Sequence, residues 1–246
     1  MNESDPTKST DRSGDGASPD EGWLERARDA LLAELAREIQ DPRVLEAIRE
    51  VPRHRFVPEE LRSRAYENRA LPIGGGQTIS QPVVVAMMTE ALELEEGDRV
   101  LEIGTGSAYQ AAILSRLAAS VDTIERDPML YESARQKLAL LGYTNVTVHL
   151  GDGSRGLPEK APFDGIIVTA GSPTIPQPLV DQLAPGGRLV VPVGDRDLQR
   201  LQVVRVEDGR IVTRTITRVV FVPLVGEFGW HGGATGEVEG REREGF

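Results

Sequence analysis

The sequence predicts an α/β domain built on a mostly parallel sheet, on three observations. From residue 98 to about 193, short apolar runs alternate with segments of helical periodicity. Such alternation builds βαβ units. Several of the apolar runs end in a loop of glycine, acidic or small residues, as the strand ends of a ligand-binding sheet do. Beyond residue 198 two β-rich segments flank Glu207-Asp208-Gly209-Arg210, a hairpin signal that adds antiparallel strands at the C-terminal side.

The elements follow in order. Residues 1–20 are rich in Ser, Asp, Gly and Thr and are expected to form a disordered tail, as are residues 231–246. The folded part is expected at 21–230, with N-terminal helices and a loop over 21–97 and the sheet over 98–230. Trp23, Ala27, Leu31, Leu35 and Ile39 return at helical spacing, which predicts a helix from Trp23 to Gln40. Asp41-Pro42 ends it and opens a second helix to Glu50. The prolines at 52 and 58 interrupt VPRHRFVP, where Phe56 and Val57 are expected as buried anchors. LPIGGGQTISQP, residues 71–82, reads as a loop, and a helix follows to Leu92 with Val84, Met87, Met88 and Leu92 on its apolar face.

Strands are expected at Arg99–Ile103, Val121–Ile124, Val146–Leu150, Phe163–Thr169 and Arg188–Val193, with helices at Tyr109–Ala119, Pro128–Leu141 and Ile175–Leu183 between them. The closing β segments are 199–206 and 211–222.

Composition excludes several function classes. The 246 residues carry 28 basic and 39 acidic side chains, a net charge of -11, which disfavours a nucleic-acid backbone or an anionic membrane surface as partner. Cysteine is absent, so neither a disulfide framework nor a thiolate metal site is available. The three histidines, His54, His149 and His231, are far apart in sequence, which disfavours a histidine metal site. His54 reads as a local hydrogen-bonding residue. No apolar run approaches a membrane span, and the N-terminus lacks an apolar signal core, so secretion is not expected.

The chemistry is expected at the strand ends. Val100-Leu-Glu-Ile-Gly104-Thr105-Gly106-Ser107 runs from a strand into a glycine turn and a helix, where Gly106 lets backbone approach a ligand and the helix start offers free N–H groups. A nicotinamide dinucleotide prefers a third glycine at position 109, which here is Tyr. S-adenosylmethionine needs no pyrophosphate cradle and asks less of the turn. Glu125, 21 residues beyond Gly104, can accept from a ribose diol in either cofactor. Asp152 can accept from an adenine amino group, with Gly153 giving clearance beside the ring. On the acceptor side, Thr78 and Ser80 offer hydroxyls in a polar loop, although Ser80 also suits a helix N-cap. Val168 to Pro176 is a second candidate wall.

These residues together resemble the protein-L-isoaspartate (D-aspartate) O-methyltransferase family. VPRHRFVP, GGGQTISQP, VLEIGTGSAYQAAIL, TIER, GDG, PFDGIIVTAG, QLAPGGRLVVPVG and FVPL are similar to that family's motifs, in order, from about Val51 to Gly226. The resemblance implies a Rossmann-like S-adenosylmethionine-dependent methyltransferase fold with an N-terminal helical extension and a rearranged C-terminal strand order. It implies methyl transfer from S-adenosylmethionine to the free α-carboxyl of L-isoaspartyl, and some D-aspartyl, residues in damaged proteins and peptides. The ester then collapses to a succinimide, and repair begins. Bacterial members are typically cytoplasmic and mostly monomeric. The family's active-site serine falls on Ser80, with Thr78 and Ile79 beside it on the substrate side. Its cofactor residues fall on Gly104, Thr105, Gly106, Ser107, Glu125, Asp152 and Gly153.

Two positions depart from the family's pattern. Ala108 replaces a glycine, and the expectation is that position 108 lies inside the helix start, where a methyl group costs little. Val83 stands where His or Tyr is common. A methyltransferase with a different acceptor, and a non-catalytic homologue that binds the cofactor or damaged chains, are the alternatives. The implied chemistry needs no general base, because a carboxylate with pKa near ~3.5 is already ionised at neutral pH. Ser80 is then a donor that orients the acceptor, and Thr78 a weaker helper.

Overall fold

The computed structural model describes residues 21–231, so the expectations for residues 1–20 and 232–246 lie outside the described residues. Six helices carry most of the helical residues: α1 (Glu21–Leu35), α2 (Pro42–Glu50), α3 (Pro82–Leu92), α4 (Tyr109–Leu114), α5 (Pro128–Leu140) and α6 (Gln177–Val180). Two short strands, β1 (Leu71–Gly74) and β2 (Gln77–Ile79), pair by themselves. The main sheet holds β3 (Arg99–Ile103), β4 (Ser120–Glu125), β5 (Val146–Leu150), β6 (Phe163–Val168), β7 (Leu183–Gly194), β8 (Gln199–Glu207) and β9 (Arg210–Val219).

Its spatial order is β5-β4-β3-β6-β7-β8-β9. Pairings from β5 through β7 are parallel, and β7–β8 and β8–β9 are antiparallel. Asp208 and Gly209, both at positive φ, make the two-residue turn between β8 and β9. The order reverses between β3 and β6, and a crevice opens there at the strands' carboxyl ends. The register aligns Ile103 with Ile124 and Val168, so the loops after β3, β4 and β6 leave from one edge.

Both faces of the sheet are covered, as a parallel sheet requires. Val100, Val121 and Ile167 pack with α3 and α4 on one face; Leu101, Ile103, Ile166 and Val168 pack with α6 on the other. A further cluster joins Leu31, Leu35, Ile48 and Phe56 to Tyr109, Leu138 and Tyr143, so the N-terminal helices are built into the core. Phe56 and Val57 are buried as expected.

Several boundaries differ from the sequence expectations, and each has a local cause. α1 stops at Leu35 rather than Gln40: Arg37 and Glu38 tighten to three-residue hydrogen bonds, and Glu90 Oε1 captures the N–H groups of Gln40 (2.6 Å) and Asp41 (2.8 Å). α4 stops at Leu114 rather than Ala119, because the N–H groups of Ala119 and Ser120 turn to Asp98 O and start β4. α6 is limited to Gln177–Val180, and β7 begins at Leu183. The expected loop at 71–82 is instead the β1–β2 hairpin, in which Gly74, Gly75 and Gly76 all take positive φ to make the turn. α3 lies between two clusters, so Val85, Ala86 and Ala91 are buried with Met88 and Leu92, while Val84 and Met87 are only partly covered.

Candidate active site

The turn after β3 is fixed from below and behind. The N–H groups of Gly104 and Thr105 both bond to Ile124 O, at 2.9 and 3.3 Å. Gly104 has φ +96°, and a Cβ there would lie 2.6 Å from Thr169 Oγ1, so only glycine fits without displacing that residue. Glu125, at the end of β4, accepts the Gly106 N–H on Oε2 (2.9 Å) and those of Arg126 (2.8 Å) and Asp127 (3.0 Å) on Oε1. Its carboxylate is thereby aimed at the glycine turn. From α5, Lys137 Nζ donates to Ser107 O at 3.3 Å.

Under this turn lies a chain of polar groups of which sequence reading singled out Thr105 but not Thr123 or Glu102. Thr105 and Thr123 hydroxyls are 2.7 Å apart, and Thr123 donates to Glu102 Oε2 at 2.6 Å. Glu102 is fully buried, and its Oε1 has no hydrogen-bond partner among the described residues. Burial pushes its carboxyl up to about 8; the Thr123 hydrogen bond opposes this and the charge of Glu125 adds to it. A glutamate in the middle of an otherwise apolar strand was the sequence signal for it.

Position 108 overturns an expectation. Ala108 is not inside the helix; it precedes α4 in the left-handed region at φ +70°, and it is fully buried. The backbone there is strained for a non-glycine residue. The buried methyl contributes about 0.8 kcal/mol, and Ala also has less unfolded-state freedom to lose than Gly, about 0.4–1 kcal/mol. Together these roughly offset a left-handed cost of about 1–2 kcal/mol. That balance explains why alanine is tolerated. α4 also lacks a side-chain cap, since Ala108 cannot supply one.

On the acceptor side the hairpin brings Thr78, Ile79 and Ser80 against the same cavity as Gly104–Ser107 and Glu125. Ser80 is not the N-cap of α3: Gln81 holds that position, and the α3 N–H of Val83 is met by Asn68 Oδ1 at 3.1 Å. The Ser80 hydroxyl makes no hydrogen bond among the described residues. Its carbonyl, by contrast, is held from behind by Arg53 Nη2 at 2.8 Å. Arg53 is fully buried, donates through Nε to Ala65 O at 2.8 Å, and its guanidinium lies 4.8 Å from the centre of the Tyr109 ring. Burial holds its pKa below the usual arginine range. His54 Nδ1 lies 3.0 Å from Tyr66 Oη, the local role expected of it.

Thr169 and Ala170 of the second candidate wall line the cavity, as does the segment Val222 to Val225. That segment is stitched down by Gly171, whose N–H donates to Val222 O and whose carbonyl accepts Leu224 N–H, both at 2.8 Å. At the end of β5, Gly153 lines the cavity, whereas Asp152, also expected on the cofactor side, is not among its lining residues. Asp152 Oδ1 accepts from the N–H and hydroxyl of Ser154 (3.0 and 2.7 Å), and Oδ2 accepts Glu227 N–H at 2.9 Å. Burial works against its charge, but the hydrogen bonds from Glu227 and Ser154 and the nearby Arg155 outweigh it and hold the carboxyl below its usual range. Among the described residues, no group of three or more His, Cys, Asp or Glu is placed to hold a metal ion.

A parallel sheet with its crevice at the strand reversal, a bare glycine turn and a carboxylate one strand over define a Rossmann-like S-adenosylmethionine-dependent methyltransferase. Residues 26–229 match the family described as protein-L-isoaspartate(D-aspartate) O-methyltransferase (PCMT), and the chain belongs to that family. It is 57% identical over 197 residues to the protein-L-isoaspartate O-methyltransferase of Methanoculleus marisnigri, covering 80% of this chain and 90% of that one. To the enzyme of that name from Hyperthermus butylicus it is 53% identical over 225 residues, covering 86% and 93%. A solved protein-L-isoaspartate O-methyltransferase superposes with a TM-score of 0.75 at 32% identity, covering 82% of this chain and 67% of that one. A structure from Plasmodium falciparum, described as a putative member in complex with S-adenosyl-L-homocysteine, superposes with a TM-score of 0.68 at 25% identity, covering 79% and 96%.

Two outcomes follow from the local geometry. Ala108→Gly is expected to change unfolding free energy in urea by less than about 1 kcal/mol, because relief of strain and loss of burial cancel. Ala108→Val, β-branched at positive φ, is expected to cost more than ~2 kcal/mol. Equal effects of the two would contradict this account.

Glu102 sets a pH dependence. Its folded pKa, about 8, lies above its ordinary 4.5, so between these values the folded protein keeps a proton that the unfolded chain has released. Its contribution is fully present below the lower value and is lost as pH rises to about 8, by a few kcal/mol in order of magnitude. Urea unfolding of Glu102→Gln is expected to lack this loss. A parallel pH dependence in the two proteins would refute it.

Proposed function

We propose that this cavity divides the family's reaction among the residues just described. The protein is a methyltransferase that esterifies the free α-carboxyl of L-isoaspartyl residues, and some D-aspartyl residues, in damaged proteins and peptides. S-adenosylmethionine supplies a methyl group on a cationic sulfur, already activated for transfer. The chain's own residues fit that cofactor. Gly104, Thr105, Gly106 and Ser107 present bare backbone to its amino-acid end, and the unpartnered Glu102 oxygen suits an ammonium. Glu125 offers acceptors to the ribose diol. Gly153 lines the cavity, and the neighbouring Asp152, outside the lining, keeps a lone pair on Oδ2 for the adenine amino group.

The acceptor carboxylate is anionic at neutral pH, so no residue has to remove a proton. The chain's task is alignment and exclusion of water. Ser80 donates its hydroxyl to the acceptor carboxylate or its neighbouring carbonyl, Thr78 assists at the rim, and buried Ile79 seats the strand. A single neutral donor orients the nucleophile without holding it as tightly as a guanidinium would. Arg53, through the Ser80 carbonyl, keeps that donor in place. Val83 lies beyond this donor and leaves it intact. One observation carries the reading: the uncommitted Ser80 hydroxyl and the glycine turn line the same cavity.

We propose further that the enzyme acts as a cytoplasmic monomer on protein and peptide chains, not on nucleic acid or membranes. Its net charge of -11 supports the exclusion of phosphate-rich partners. Light scattering of the purified chain tests the monomer.

An isoaspartyl peptide is expected to take up labelled methyl while its normal aspartyl twin does not. Ser80→Ala is expected to lower kcat by about 10- to 100-fold, the scale of one lost oriented donor. Cofactor affinity measured by calorimetry should stay within about threefold, because Ser80 lies outside the cofactor loops. Parallel loss of cofactor binding would reject the assignment.

A further inference from the structure

Outside Ser80 a groove continues from the cavity. It shares Thr78, Ser80 and Thr169 with it and is walled by Leu198, Arg218 and Phe221. Arg218 on β9 stands in direct register with Arg200 on β8, and both side chains are exposed. Like charges directly opposite on antiparallel strands repel and destabilise the pair. Neither arginine has an ion-pair or hydrogen-bond partner among the described residues, and Asp195 and Asp197 on the neighbouring β7–β8 turn pair with neither. Arg218 lines the groove and Arg200 stands beside it, outside the lining, so in a chain with a net charge of -11 two adjacent cations without an ion-pair partner among the described residues border the groove.

We propose that Arg200 and Arg218 form a subsite for an acidic side chain of the substrate, carried by a residue a few positions from the isoaspartate. The proposal rests on the reading of Ser80 as the acceptor site. A chain whose α-carboxyl reaches Ser80 through the cavity mouth must lay its neighbouring residues in the adjoining groove. The apolar wall of Leu198 and Phe221 receives the chain, and the arginine pair selects its charge. An anionic side chain there also relieves the repulsion between the two guanidinium groups.

The test uses three isoaspartyl peptides that differ only in the flanking residues, which are Glu, Ala or Lys. The wild-type enzyme is expected to rank them Glu over Ala over Lys in kcat/KM, with about three- to tenfold between the extremes, the scale of one or two exposed ion pairs. High salt should compress that ratio. The double variant Arg200→Ser/Arg218→Ser should bring it close to one, and Arg200→Glu/Arg218→Glu should invert the order. Because the serine variant removes a repulsion, its thermal midpoint should not fall; the single variant Arg218→Ser gives an independent reading of the same ratio. Equal use of the three peptides by the wild type, or a preference that survives the substitutions, overturns the subsite while leaving the isoaspartyl activity standing. Failure to methylate all three peptides overturns the acceptor reading itself and the subsite with it.

Discussion

Arg53 lies fully buried without a carboxylate to neutralise it, and its hydrogen bonds end on backbone carbonyls of Ala65, Arg69 and Ser80. Burying a charge in this way is costly, and here Nη1 also lacks a hydrogen-bond partner among the described residues. The same side chain lies over Tyr109, the first residue of α4. One guanidinium therefore links the end of the hairpin at Ser80 to the helix that follows the glycine turn.

The cofactor half is organised by charge. Glu125 is satisfied by three backbone N–H groups and faces the turn; Glu102 is buried beneath it with one oxygen unpartnered and its pKa raised. The two carboxyl groups thus sit in very different surroundings. Both side chains line the cavity, although both are buried. In the proposed reaction, a cationic cofactor and an anionic acceptor would meet in a cavity lined by these two carboxyl groups and by the hydroxyls of Thr78 and Ser80.

Much of this was readable in the residues themselves. The alternation from β3 to β7 follows from apolar runs bounded by glycine and proline, and the Asp208-Gly209 turn from its need for positive φ. The places of Gly104, Glu125 and Gly153 were legible because each ends or follows a strand, and all three line the cavity. Other features were not. The hairpin at 71–79 looked like a loop because glycine-rich segments carry no strand period, and its pairing is a contact between residues, not a property of either. The early ends of α1 and α4 are set by Glu90 and Asp98, acceptors distant in sequence or across a turn that outcompete continued helix. Ala108 misled because propensity favours alanine in a helix, while the backbone at that point had already been committed to the left-handed region by the turn before it.

The sequence by itself determined the α/β class, the order of its strands along the chain and the residue types at the strand ends. These depend on local period and on glycine, proline and acidic residues whose conformational demands are intrinsic. Only the tertiary structure decided that β3 lies beside β6, that Ser80 is free while Asn68 meets the start of α3, that Glu102 is buried with an unpartnered oxygen and that Arg200 opposes Arg218. Each of these is a relation between segments far apart in the chain or in different elements. Such relations follow from packing and register, and no single stretch of sequence carries them.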